Sequence, residues 1–280
     1  MLAWNLFKAE LLKTRKMSIN QVLMIIMNIM GGFFYLSMII MAKVYKGGYL
    51  REAEVVLAFP RSIELSIMAI SAFGIIISII YMANNIGAEY GRDTWKMLLP
   101  RYGSRVSFLM TKLLTAFLAM VTLFIFTIGF WVVLSYLGTV FLQINVISEL
   151  QPGEKGTELS LKMLAITSLK MSFYGLLTVL ATVVARSVVG GIIAGMALSL
   201  TLASATSVPM QTFVRCMPSI HISNLEMHWT KNSRGLEEIS YAFGAKIAPE
   251  ISLYVVTGAI LLILGLTLYL FSKRDMAGAS

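Results

Sequence analysis

Few side chains in this sequence could do chemistry, and their spacing limits what each can do. His221 and His228 stand seven residues apart, which puts both on one face of a helix. Cys216 is the only cysteine and no H-E-x-x-H run occurs, so no metal site is expected. The lone cysteine also excludes an intrachain disulfide. Glu237-Glu238 lie in polar sequence and read as a solvated face. No cluster of His, Asp or Glu falls within an apolar run, so no catalytic residue is assigned. No G-x-x-x-x-G-K-[ST] phosphate loop is present, so any ATP-driven work must draw on another polypeptide. Lys170 is the one formal charge well inside an apolar run. An ionisable group at such a depth is a functional hypothesis by default. It also lies about two turns from the outer end of its run, which leaves open outward snorkelling or a structural hydrogen bond.

The densest charge between two long apolar runs is Glu89 to Lys112, E-Y-G-R-D-T-W-K-M-L-L-P-R-Y-G-S-R-V-S-F-L-M-T-K. Arg92, Lys96, Arg101, Arg105 and Lys112 stand there against Glu89 and Asp93. Trp95, Leu98 and Leu99 fall at i, i+3, i+4, one face of a short helix that Pro100 stops. Gly103-Ser104 then predicts a turn before the next run. A short amphipathic helix between two spans either lies on lipid or docks into a partner. Docking is the expectation here.

The elements that carry these residues follow from composition. The chain has 280 residues, 58% hydrophobic and only 13% charged, against about half and a quarter in soluble domains. It is expected to be an all-α, polytopic integral membrane protein. The net charge of +9 is spread along the flanks of apolar runs and forms no basic patch, so the bilayer surface, not nucleic acid, accounts for it. Six runs are long enough to span as helices, near 18–42, 62–84, 108–137, 163–185, 187–210 and 251–272. One helix over 163–210 would be about 72 Å long, so a tight hairpin is predicted at Ala185-Arg186-Ser187. Residues 1–17 read as a basic interfacial helix with Trp4, Phe7 and Leu11 on one face, or as a plain basic flank. Basic density at Lys13, Arg15 and Lys16 and the shorter inner segments put both termini and residues 85–107 inside. Residues 211–250 are expected as an outer loop with one or two short helices, a re-entrant turn being the alternative. Gly191, Gly195, Ser199, Ala203 and Ser207 recur every four residues. Such a stripe admits a close helix, within this chain or as a subunit seam or pore wall. Met24, Met27, Met30, Met38 and Met41 supply flexible apolar surface around the first run.

Over Glu89, Gly91, Thr94, Trp95, Leu98, Leu99, Pro100, Ser104, Arg105 and Lys112 the sequence resembles the membrane-spanning permease subunits of type-2 ABC exporters. The likeness is to bacterial permeases of the bacitracin-resistance and lantibiotic-immunity kind. The basic opening W-N-L-F-K-A-E-L-L-K-T-R-K and the six-run layout extend it over nearly the whole chain. Arg92-Asp93 between Gly91 and Thr94, and three residues between Pro100 and Ser104, depart from the family pattern.

The resemblance implies a single transmembrane domain in a bacterial plasma membrane, paired with an identical or similar permease and with two cytoplasmic ABC ATPase subunits. ATP and magnesium would be bound by those ATPases and not by this chain. Residues 85–107 would hold a cytoplasmic coupling helix, docked through Trp95, Leu98 and Leu99 and oriented by Glu89, Arg92, Asp93, Lys96 and Arg105. The cargo would be hydrophobic or amphipathic, an antimicrobial peptide among the candidates. Read from the residues themselves and apart from the resemblance, Lys170, Gly191, Gly195, Ser199 and Ala203 are the candidates for a substrate pathway or a subunit seam. A different class, an ion-coupled carrier or channel without an ATPase, would need several buried ionisable groups.

Overall fold

Backbone amides in hydrocarbon must find partners within their own segment, and a helix provides them. The computed structural model describes residues 2–45, 48–59, 61–91, 104–144, 156–204, 217–232 and 247–273, which are almost entirely helical, with no strand among them. In chain order the helices are α1 (Leu2–Lys16), α2 (Ser18–Tyr45), α3 (Gly48–Leu57), α4 (Arg61–Gly91), α5 (Arg105–Leu142), α6 (Gly156–Ala185), α7 (Val188–Ser204), α8 (Pro218–Asn232) and α9 (Pro249–Lys273). Five are long and apolar enough to cross a membrane: α2, α4, α5, Ser160–Ala185 within α6, and α9. Phe33, Ile40, Phe126, Leu261 and Leu262 stand exposed around them. Large apolar surface of this kind belongs against lipid. The chain is a multi-pass membrane protein.

The sixth expected run, 187–210, is represented by α7, 17 residues long and about 26 Å at the helical rise. Residues 205–210 lie outside the described set. Elsewhere the helices outrun the apolar stretches. α4 continues to Gly91, so the first part of the segment placed at 85–107 belongs to that helix, and Arg105 already begins α5. Hydropathy marks only the part that faces hydrocarbon; the polar ends stay helical because neighbours bury them. Ser104 caps α5 as the turn signal suggested, its hydroxyl accepting from Ser107 N–H at 3.1 Å. The hairpin falls where length required it. Arg186 adopts φ 53°, and its N–H donates to Thr182 O at 2.8 Å.

α4 is the hub, packing on α5, α6 and α7. Ile70, Ile77, Tyr81 and Met82 of α4 are buried together with Phe124 of α5 and Met171 of α6. Ser78 adds a hydroxyl bond to Met171 O, 3.1 Å. α2 lies against α5, where Gly31 admits the Trp131 ring; a Cβ at residue 31 would sit 1.9 Å from it. α3 covers the upper end, where Ser135 Oγ donates to Leu57 O at 2.7 Å. At the opposite, basal end α1 packs on α5, and Arg105 Nη1 donates to Ser272 O at 3.2 Å. Among the described side chains of α1, Glu10 and Thr14 are buried against the protein, while Leu11 and Leu12 are exposed. The reason lies in α5, where a buried lysine faces Glu10.

Candidate functional site

Besides the Arg61–Glu64 pair in the first turn of α4, two charge clusters among the described residues join different helices, one basal and one inside the bundle. The basal cluster joins three helices. Lys112, on the second turn of α5, is fully buried. Its Nζ lies 2.8 Å from Glu89 Oε1, at the end of α4, and 3.5 Å from Glu10 Oε2 of α1. Lys13 of α1 also donates to Glu89 Oε1. Two lysines thus face two carboxylates. Removing one member of a buried pair costs about 3–5 kcal/mol, because the charge left behind has no water to return to. This cluster holds together the two helix ends from which residues 92–103 depart.

Among the residues expected at a coupling helix, Arg92, Asp93, Thr94, Trp95, Lys96, Leu98 and Leu99 lie outside the described residues. Gly91 is exposed at the end of α4. Glu89 is turned into the chain, toward Lys112 and Lys13, and Arg105 reaches the carbonyl that ends α9. Sequence reasoning picked out Glu89 and Lys112, took Lys13 only as part of a basic flank, and passed over Glu10, a carboxylate on a helix read for its cations and its aromatic face.

The second cluster contains Lys170. Its Nζ donates to Glu226 Oε1 at 2.8 Å, to Glu226 Oε2 at 3.1 Å and to Ser71 Oγ at 2.9 Å. The Ser71 hydroxyl in turn donates to Glu226 Oε1. Lys170 is therefore held inside by α4 and α8 and does not snorkel outward. The three side chains border a cavity of about 210 Å³, completed by Met68, Ala72, Met163, Ile166 and Thr167. Glu226 lies in the segment 211–250, expected as an outer loop with one or two short helices. Its helix, α8, is packed on α6 and α9, with Ile220, His221, Ile222, Asn224 and Leu225 buried. Over its described side chains, residues 218–226, polar and apolar groups are buried alike, which leaves no apolar stripe to read there in the sequence.

Hydrogen bonds explain α8's polar residues. His221 Nδ1 lies 3.0 Å from Ser252 Oγ of α9, and Asn224 Nδ2 donates to the same oxygen at 2.9 Å and to Ile247 O at 3.1 Å. His221 thus joins α8 to α9. The side chain of His228, and both Glu237 and Glu238, lie outside the described residues. Among the described residues no three His, Cys, Asp or Glu side chains gather where they could hold a metal ion.

The small-residue stripe on α7 faces inward at Gly191 and Gly195. A Cβ at Gly191 would sit 2.1 Å from Thr182 Oγ1 of α6, and one at Gly195 2.6 Å from Thr178 Oγ1. These two glycines serve packing within the chain. Ser199 is half-buried and bonds its own helix at Met196 O, 2.8 Å. The side chain of Ala203, and Ser207, lie outside the described residues.

The family model described as a protein of unknown function (DUF2705) matches residues 22–277. No curated protein matches the chain.

Proposed function

The chain belongs to the DUF2705 family, and we propose that it is the membrane-spanning permease subunit of an ATP-driven ABC exporter. The observation that carries the reading is the basal cluster. A twelve-residue segment, 92–103, leaves α4 and enters α5 at two points tied by the buried Glu89–Lys112 pair, with α1 fastened to both. A push on that segment is therefore delivered to two long helices at once. On this reading α7 is the sixth span and both termini face the cytoplasm. The permease pairs with an identical or similar subunit in a bacterial plasma membrane. Two ABC ATPase subunits bind ATP and magnesium beneath it. Trp95, Leu98 and Leu99 seat the segment on the ATPase, and Arg92, Asp93 and Lys96 orient it. Closure of the ATPase pair tilts α4 and α5 as rigid bodies and shifts access from inside to outside. The cargo is a hydrophobic or amphipathic compound, and its removal from the membrane would give resistance or self-protection against a membrane-active peptide.

Co-expression with an ABC ATPase encoded beside its gene tests this. The ATPase should co-purify with the chain, and Trp95→Ala with Leu98→Ala should release it while the spans stay folded. Undiminished co-purification and ATPase stimulation after both changes would sink the docking claim. The Lys170–Glu226 pair favours a second reading, an ion-coupled carrier. Transport into liposomes holding this chain alone, without ATP, would favour that reading instead.

A further inference from the structure

Trp131 of α5 is only 3% exposed, yet its indole N–H has no hydrogen-bond partner among the described residues. A buried Trp ordinarily bonds through that group, and leaving it unpaired costs about 1–3 kcal/mol. The ring packs on Gly31 of α2, where a Cβ would sit 2.2 Å from Nε1. Both residues border a cavity of about 440 Å³ between α2 and α4. Exposed Met30 and Phe34 on one side, and Met68 and Phe73 on the other, leave it open to lipid. Tyr35 and Ser66, also at its wall, are already paired: their hydroxyls lie 2.9 Å apart and reach Ser62 O at 3.1 and 2.7 Å. Depth follows from the apolar runs. Trp131, Tyr35 and Ser66 stand six, seven and four residues inside the α3-side ends of 108–137, 18–42 and 62–84, or about 6–11 Å. Phe73 and Met30 stand eleven and twelve residues inside theirs. The cavity therefore has a polar end toward α3 and an apolar end toward the middle of the bilayer. Hydrocarbon holds no water to accept from Trp131, so a partner must come with a ligand.

We infer that this cavity binds the acyl end of an amphiphile, whose ester or amide carbonyl accepts from Trp131 Nε1. A tilt of the indole into the empty volume presents the N–H to that oxygen. No charged side chain borders the cavity among the described residues, so it has nothing to hold an ionised headgroup within it. Its one unspent side-chain donor calls for an acceptor, and a carbonyl is a stronger one than an ether oxygen. The volume lies within the roughly 300–1,000 Å³ of small-molecule sites. With the carbonyl at the polar end, the chain runs toward Phe73 and Met30, as an acyl chain runs inward in a leaflet. Entry is sideways, from the bilayer. The inference does not rest on ATP coupling. ATPase co-purification and acyl binding are read separately, and either can fail alone.

The test is binding to the purified full chain in maltoside micelles, followed by native mass spectrometry. Two matched pairs of probes share one chain length: 1-palmitoylglycerol against 1-hexadecylglycerol, and an ester-linked against an ether-linked phosphatidylcholine. In at least one pair the ester should bind about fivefold or more tighter than the ether, the worth of one hydrogen bond from a buried donor. A larger preference in the glycerol pair assigns the site to a single-chain amphiphile, and in the other pair to a membrane phospholipid. Trp131→Phe keeps a ring but removes the N–H, and should bring the ester down to the affinity of the ether. Ala69→Leu narrows the cavity without touching the indole, and should weaken ester and ether alike. Equal binding of ester and ether to the unaltered chain overturns the inference. So does an ester preference that survives Trp131→Phe, or binding that Ala69→Leu leaves unchanged.

Discussion

Lys112→Met isolates the basal cluster. Lys112 Nζ faces Glu89 at 2.8 Å and Glu10 at 3.5 Å. At an effective dielectric of about 20 these contacts amount to about 6 and 5 kcal/mol of gross attraction. Desolvation of three buried groups cancels most of that, and the measurable quantity is the cost of stranding what remains. In Lys112→Met the buried Glu89 and Glu10 lose the lysine they share, while Lys13, whose side chain is 38% exposed, still faces Glu89. The loss should be about 3–5 kcal/mol. Lys13→Ala, at the solvated edge, should cost about 1 kcal/mol or less. Lys112→Met/Glu10→Gln removes one charge of each sign and leaves Lys13–Glu89 intact, so it should recover most of the loss. Reversible unfolding in mixed SDS micelles ranks the three. If Lys112→Met is no worse than Lys13→Ala, or the double variant is no better than Lys112→Met, the four groups are not a charge-balanced unit.

Three further outcomes are expected. Gly191→Leu should overpack the α6–α7 hairpin against Thr182 and lose about 1–3 kcal/mol or more, whereas Gly265→Ala, with nothing within 4 Å, should be neutral or gain about 0.5–1 kcal/mol; melting in detergent compares them. His221→Ala should lose about 1–3 kcal/mol by leaving the buried Ser252 hydroxyl of α9 one partner short, with Asn224 alone, and a chelator should not change that loss. In a Cys216→Ser background, a cysteine at exposed Tyr45 should label with a membrane-impermeant thiol reagent from outside intact cells, and one at exposed Ser104 only after lysis; the reverse pattern would invert the proposed orientation.

The spans were legible because lipid demands long apolar runs, and the hairpin because 48 residues cannot cross once. Arg186, a non-glycine residue at positive φ, marks where that geometric demand overrode local preference. Glu89 and Lys112 were legible as motif residues, but their mutual contact was not, since it joins positions 23 apart on different helices. Lys170 announced itself as a charge among apolar residues. Its partner did not. Glu226 sits in a helix whose polar residues resemble a loop until Ser252 of α9 and the Ile247 carbonyl just before that helix pair with them. A pattern read along one segment cannot show a burial that neighbouring segments create.

Both clusters meet on α4, and this makes their relation testable. Glu89 and Ser71 are eighteen residues apart on one continuous helix, about 27 Å. At that distance the stability effects of Glu89→Gln and Ser71→Ala should add to within about 0.5 kcal/mol. Transport is a different matter if α4 moves as one rod. A displacement begun at the Glu89 end then carries Ser71 past Lys170 and Glu226, which α6 and α8 hold. Loosening the basal tie and removing the Ser71 hydroxyl would impair the same step, so the double variant should transport hardly more slowly than the worse single one. Additive stability with non-additive transport is the signature of a rigid lever between the sites. If the losses simply multiply in transport as well, α4 does not link the two clusters, and the mid-bundle pair must be opened by some other element.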